Sequence, residues 1–98
     1  MAKATSKDCT GTSFHNTVIY TTPGRLKELF PDSYYEQNDG RDKCNYDFTL
    51  ETENGDVFTI YDWKEYRRLR DNETIEFHIG GKDRFITERA KSELERIL

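Results

Sequence analysis

The feature that most constrains this chain is a β-hairpin signal over residues 45–62. Tyr46, Phe48 and Leu50 alternate with polar residues, Asn54-Gly55 follows, and the run VFTIY comes next. A period of two marks a half-buried strand, and Asn-Gly between two such runs predicts a two-residue type I′ turn, because both residues tolerate positive φ. That turn sets Glu53 opposite Asp56, and hence Thr52 opposite Val57, Leu50 opposite Thr59 and Phe48 opposite Tyr61. Phe58 and Ile60 then fall on the other face, against Glu51 and Thr49, so the second strand is apolar on both sides. A helix covers one face of a sheet only. The second greasy face requires another layer, a ligand or a second copy, and self-association is the most economical of these.

The remaining elements arrange themselves around this hairpin. Residues 14–22 (FHNTVIYTT) are β-branched and aromatic, which predicts a strand. Thr22 before Pro23 predicts a helix start, with Leu26, Leu29 and Phe30 on one face and Pro31 ending it. Residues 32–43 carry turn formers and charge and read as a surface loop holding Tyr34 and Tyr35. Asp62 with Glu65 forms a capping pattern for a short helical turn. Ile75, Phe77 and Ile79 alternate inward against Glu76 and His78, a further strand that Gly80-Gly81 ends. A last helix opens at Thr87 and packs Ala90, Leu94, Ile97 and Leu98, leaving Ser92, Glu93 and Arg96 to solvent. Residues 1–12 read as a flexible arm and 13–98 as one domain. The fold class is α+β: a small antiparallel sheet with a short N-terminal helix and a C-terminal amphipathic helix, oligomeric.

Composition narrows the function classes. Hydrophobic residues are 34% of the 98, but 13% of the chain is aromatic, enough ring area to build a core despite 35% charge. A formal net charge of −4 argues against coating bulk nucleic acid, which needs a basic surplus, while leaving room for one small anionic ligand. No run approaches the roughly 18 apolar residues of a membrane span, and residues 1–11 hold no hydrophobic signal segment, so a cytoplasmic location without membrane contact is expected. Cys9 and Cys44 lie far apart with no ligand spacing, and read as free thiols. His15 and His78 have no metal-motif partners, and neither a nucleophile elbow nor a Cys–His signature is present. No catalytic residues, metal or cofactor are therefore assigned, and an enzyme is not expected.

Three constellations carry candidate chemistry, each beside a plainer alternative. Tyr61, Trp63 and Tyr66 with Lys64 combine stacking surfaces and a cation, as a nucleotide site would; Trp63 can equally anchor the strand end against the last helix. The Gly80-Gly81-Lys82-Asp83-Arg84 stretch leaves a strand with a bare backbone and two cations, which suits phosphate, and is also an ordinary Gly-Gly turn. Arg25 and Lys27, near the Thr21–Gly24 turn, can join an anion site or be plain surface cations. Arg67, Arg68 and Arg70 form the densest basic patch, softened by Asp71 and Glu73, and read more simply as a solvated ion-pair face.

Two segments, Ile60-Tyr61-Asp62-Trp63-Lys64 and Glu76-Phe77-His78-Ile79-Gly80-Gly81, resemble a family of small tailed-phage proteins with IYDWK and E-[FW]-H-[IV]-G-G motifs. That family is similar to the oligomeric sponges that sequester cyclic nucleotides of anti-phage signalling such as CBASS. The resemblance implies a non-catalytic dimer or tetramer in the host bacterial cytoplasm that binds a cyclic dinucleotide or related signal without turnover. It gives Trp63, Lys64, His78, Gly80 and Gly81 a shared role, structural or binding. Phe77 stands where relatives carry Trp, and its alternation with Ile75 and Ile79 favours the core. The rival reading is a small acidic protein–protein inhibitor of a host enzyme presenting Tyr34, Tyr35 and nearby acids.

Overall fold

A computed structural model of the chain describes residues 2–5, 7, 9–31, 33–36, 45–63 and 67–98. The elements are β1 (Lys3–Ala4), β2 (Ser13–Thr21), α1 (Pro23–Leu29), β3 (Tyr34–Glu36), β4 (Tyr46–Glu51), β5 (Val57–Asp62), β6 (Ile75–Gly81) and α2 (Arg84–Glu95). Four antiparallel strands run in the order β4-β5-β6-β2, and the short β1 and β3 both pair with the outer edge of β4. The fold is α+β. Lys82, Asp83 and the residues of α2 are all described, whereas the candidate residues Lys64 and Tyr66, the Glu65 of the expected cap, and Cys44 lie outside the described residues; Cys9 is exposed and free.

Local chemistry explains most boundaries. Thr22 Oγ1 accepts the Arg25 N–H at 3.1 Å and Pro23 opens α1, while Pro31 follows its end. The cap of α2 is Asp83, whose carboxylate accepts the Ile86 N–H at 2.9 Å; the expected cap, Thr87, sits inside the helix and is fully buried, bonded to Thr17 Oγ1 at 2.8 Å. Glu93 also departs from the expectation of a solvated face. It is buried, accepts the Glu53 N–H at 3.0 Å and pairs with Arg89 at 3.4 Å, which ties α2 to the hairpin turn.

The hairpin turn differs from the predicted type, and the difference moves every side chain. Only Gly55 has positive φ, at 85°; Asn54 does not. The Gly55 N–H donates to Thr52 O at 2.8 Å and the Thr52 N–H to Asp56 O at 2.9 Å, which makes a three-residue loop, a type I turn closed by a left-handed glycine. Thr52 Oγ1 supports it by accepting the Asp56 N–H at 3.2 Å. The pairing is therefore Phe48 with Ile60, Leu50 with Phe58 and Glu51 with Val57, one residue from the expected register. Phe58 and Ile60 consequently lie on the same face as Phe48 and Leu50, and all four are fully buried. The two-sided apolar strand is corrected, and with it the sequence argument for self-association from Phe58 and Ile60.

That shared face is the core. Ile19 of β2, Phe77 and Ile79 of β6, Leu26 of α1, and Ala90 and Leu94 of α2 join it, so both helices contribute to one side of the sheet. Fully burying a side chain of the size of Phe or Leu stabilises by about 1.5–3 kcal/mol. Residues 2–5 add to this: Ala2 is buried and β1 pairs Lys3 with Glu51 and Ala4 with Leu50, where an irregular arm was expected. Tyr34–Glu36, expected in a loop, is a strand, and the Tyr34 ring packs on Phe48 at 5.3 Å. Asp62 ends β5 as a buried carboxylate accepting the N–H groups of Asn45 and Tyr46, both at 2.8 Å, and Asn45 Nδ2 at 2.9 Å. No helix among the described residues is long and apolar enough to cross a membrane.

Candidate functional site

The side of the sheet away from the helices carries a cluster of four rings. Strand alternation puts Tyr61 and His78 side by side as a cross-strand pair on this open face. Tyr61 meets His78 edge-on, centroids 5.5 Å apart at 68°. Phe14 of β2 stacks on His78 at 4.0 Å and 14°. Trp63, just beyond β5, lies nearly parallel to His78 at 6.4 Å and 25°, with Tyr61 edge-on to it at 6.2 Å and 80°. Offset-stacked and edge-to-face arrangements are the favoured geometries of such rings. Trp63 is 41% exposed and Phe14 38%, large values for rings of this size, and Tyr20 on the same face is exposed as well.

Two backbone features make the cluster. Gly80 is the cross-strand partner of both Phe14 and Thr59, and a Cβ there would sit 2.6 Å from Thr59 Oγ1 and 3.5 Å from the Tyr61 ring. Glycine thus leaves the space on which the flanking side chains close. In β2 the register shifts by two residues between Phe14 and Val18, around Asn16 at φ 66°, and this bulge keeps Phe14 and Val18 on one face. Asn tolerates the left-handed region better than most residues. The hairpin end of the open face is closed by Lys7, whose Nζ bonds Glu51 and the Gly55 carbonyl, both at 2.9 Å.

Glu76 borders the rings. Its carboxylate accepts from Tyr20 OH at 3.3 Å and lies 3.6 Å from His78 Nε2, and the same carboxylate raises the Tyr20 pKa. Among the described residues no group of three His, Cys, Asp or Glu side chains gathers as a metal site would.

The structure therefore brings together Tyr61, Trp63, His78 and Gly80 from the sequence candidates and places Gly81, Lys82, Arg84 and Arg25 elsewhere. Trp63 does not anchor the strand end against α2. Gly81 turns the other way: a Cβ there would meet Thr87 Cγ2 of α2 at 2.9 Å. Both glycines belong to β6 and pair on two sides, with Phe14 and Thr59 for Gly80 and with Ser13 and Phe58 for Gly81, so they are not a bare loop around an anion. Lys82 is exposed just beyond β6. Arg84 pairs with Glu88 at 3.5 Å on α2. Arg25 bonds Glu28 at 3.1 Å and the Ile97 carbonyl at 2.7 Å, a tie between α1 and the turn that follows α2. Phe77 is fully buried, as its alternation predicts.

Phe14 is the member of the cluster that sequence reasoning missed. The signal was its parity: Phe14, Val18 and Tyr20 are even-numbered on β2, opposite to the buried Thr17, Ile19 and Thr21. Compared with protein-family models, curated proteins and solved structures, the chain matches none.

Proposed function

We propose that the protein is a non-catalytic binding protein whose open sheet face takes a nucleotide by base stacking. The observation that carries this reading is the exposure of Trp63 and Phe14 on either side of His78, on a sheet face that neither helix covers. An antiparallel sheet with rings on its open face is a base-stacking platform, and each stacked base is worth about 1–3 kcal/mol. The phage-family resemblance gives the ligand class, a cyclic dinucleotide or related immune signal, and the role, sequestration in the host bacterial cytoplasm. Capture acts by mass action: enough high-affinity protein lowers the free signal without turnover.

Homo-oligomerisation, as a dimer or tetramer, belongs to the same proposal. Its support is the open aromatic face, where a second copy can close over a flat ligand. The rival reading loses its clearest element, since Tyr34 packs against the core instead of standing exposed.

The test incubates the purified protein with cyclic dinucleotides, removes free ligand, denatures the protein by heat and analyses what is released. Intact ligand is expected, with Trp63→Ala weakening capture about tenfold or more. Degraded ligand, or capture unchanged in folded Trp63→Ala, overturns the reading.

A further inference from the structure

A second, separate feature lies on the helix side, where the described loop residues 67–74 meet α1 and the start of β4. A cleft of about 550 Å³ opens there, lined by Lys27, Glu36, Tyr46 and residues 68–71. Its walls are held firmly although the loop has no regular structure. Leu69 is buried in the core, and the Gly24 N–H donates to the Asp71 carbonyl at 2.9 Å. A Cβ on Gly24 would stand 2.7 Å from that same oxygen, so the loop rests directly on the α1 backbone. Glu73 closes the other end, accepting Arg67 Nη1 at 2.7 Å and the Arg70 N–H at 3.0 Å.

The charges in this cleft are unevenly used. Lys27 Nζ bonds Asp71 Oδ1 at 2.6 Å, lies 3.9 Å from Glu36 Oε1, and sits over the Tyr46 ring at 5.3 Å. Burial works against the charge on Lys27, but the Asp71 bond and the neighbouring acids outweigh it and raise its pKa. Both carboxylates of the cleft are thereby committed to one ammonium. Arg68 and Arg70 flank the buried Leu69 and are exposed, and their guanidiniums form no ion pair among the described residues, although the Arg70 charge helps to hold the Glu73 carboxyl below its usual range; Arg25, Arg67, Arg84 and Arg89 each pair with a carboxylate. Three cations face two anions, a local positive excess on a chain of net charge −4. Tyr46 adds a neutral phenol, its pKa pushed up to about 12 by burial and then by Glu36.

We propose that this cleft is a binding site for a phosphate group, gripped by the Arg68 and Arg70 guanidiniums with Lys27 behind them. Planar guanidinium forks match the oxygen spacing of phosphate and bind it in bidentate fashion, and fixed walls lower the entropy cost of closing on it. The site is independent of the aromatic face and of the function proposed for it.

The experiment is an amide NMR titration of the full chain with inorganic phosphate, against sodium chloride at equal ionic strength, repeated with adenosine 5′-monophosphate. Saturable shifts at Tyr46, Leu69, Arg70 and Asp71 are expected with phosphate and not with chloride. Tighter binding of the monophosphate makes the ligand a nucleotide, and equal binding makes it the phosphate group alone; each supports the site. Arg68→Ala combined with Arg70→Ala should weaken binding about tenfold or more while the remaining spectrum stays folded, and Trp63→Ala should leave it unchanged. Shifts that chloride reproduces, shifts confined to other residues, or full affinity in the double arginine variant overturn the proposal.

Discussion

The two faces of the β-sheet are built from the same strands and differ in what they leave unfinished. The helix side buries Phe48, Leu50, Phe58, Ile60, Phe77 and Ile79 completely under α1 and α2. The open side has rings of comparable size in Phe14, Tyr61, His78 and Trp63, which pack on one another, and Phe14 and Trp63 keep a good part of their surface in water. The comparison separates two settings for aromatic area: on one face it is buried and supplies stability, on the other it stays partly in water, which is the basis of the proposed binding role. Exposed rings in a contiguous group mark contact surfaces more often than single exposed ones do.

Substitutions can break or sharpen this contrast. The largest loss should come from Phe58→Ala, about 3–5 kcal/mol measured by chemical denaturation, because a fully buried ring leaves a cavity under α2. Had the register followed the predicted turn, the same change would lie on the open face and cost far less. Asp62→Ala should follow at about 2–3 kcal/mol, since it strands the buried donors of Asn45 and Tyr46. Gly55→Ala should cost about 1–2 kcal/mol through its positive φ and disturb the turn that sets the register, visible as altered cross-strand contacts by NMR. On the open face, Phe14→Ala and Trp63→Ala should each change stability by no more than about 1 kcal/mol while weakening nucleotide capture, read from the midpoint and a binding titration together. A Trp63→Ala loss as large as that of Phe58→Ala would erase the distinction between the faces.

The finest test is alkaline. Tyr46 has a folded pKa of about 12, above the unfolded value of about 10, so the folded state keeps the phenolic proton longer. Its contribution is complete below about pH 10 and drains away as the pH climbs towards 12. Denaturation midpoints should fall over that window, and Tyr46→Phe should flatten the fall. An equal slope in Tyr46→Phe would mean that other groups carry it.

Much of the architecture could be read from local chemistry. The Thr22-Pro23 start of α1, the inward triplet Ile75, Phe77 and Ile79, and the pairing of two strands around Asn54-Gly55 each depend on neighbours within a few residues. The candidates Tyr61 with Trp63, and Gly80, came from two separate stretches, and His78 from the family resemblance; that they share one face depends on the pairing of β5 with β6. What failed involved long-range partners: Glu93 is buried because it meets Glu53, Thr87 because it meets Thr17, and Tyr34–Glu36 is a strand because β4 has an edge to offer.

By itself, then, the amino-acid order determined where the four main strands and the two helices lie, since propensities, caps and periodicity act over a turn or two of chain. Only the tertiary structure decided which face each strand turns to the helices. Two turns of nearly equal local merit differ by a single residue in register, and a single residue reverses every side chain. Burying Phe58 and Ile60 beside Phe48 and Leu50 settles that choice through long-range packing, and it is the same choice that leaves Phe14, Tyr61, His78 and Trp63 together on the outside.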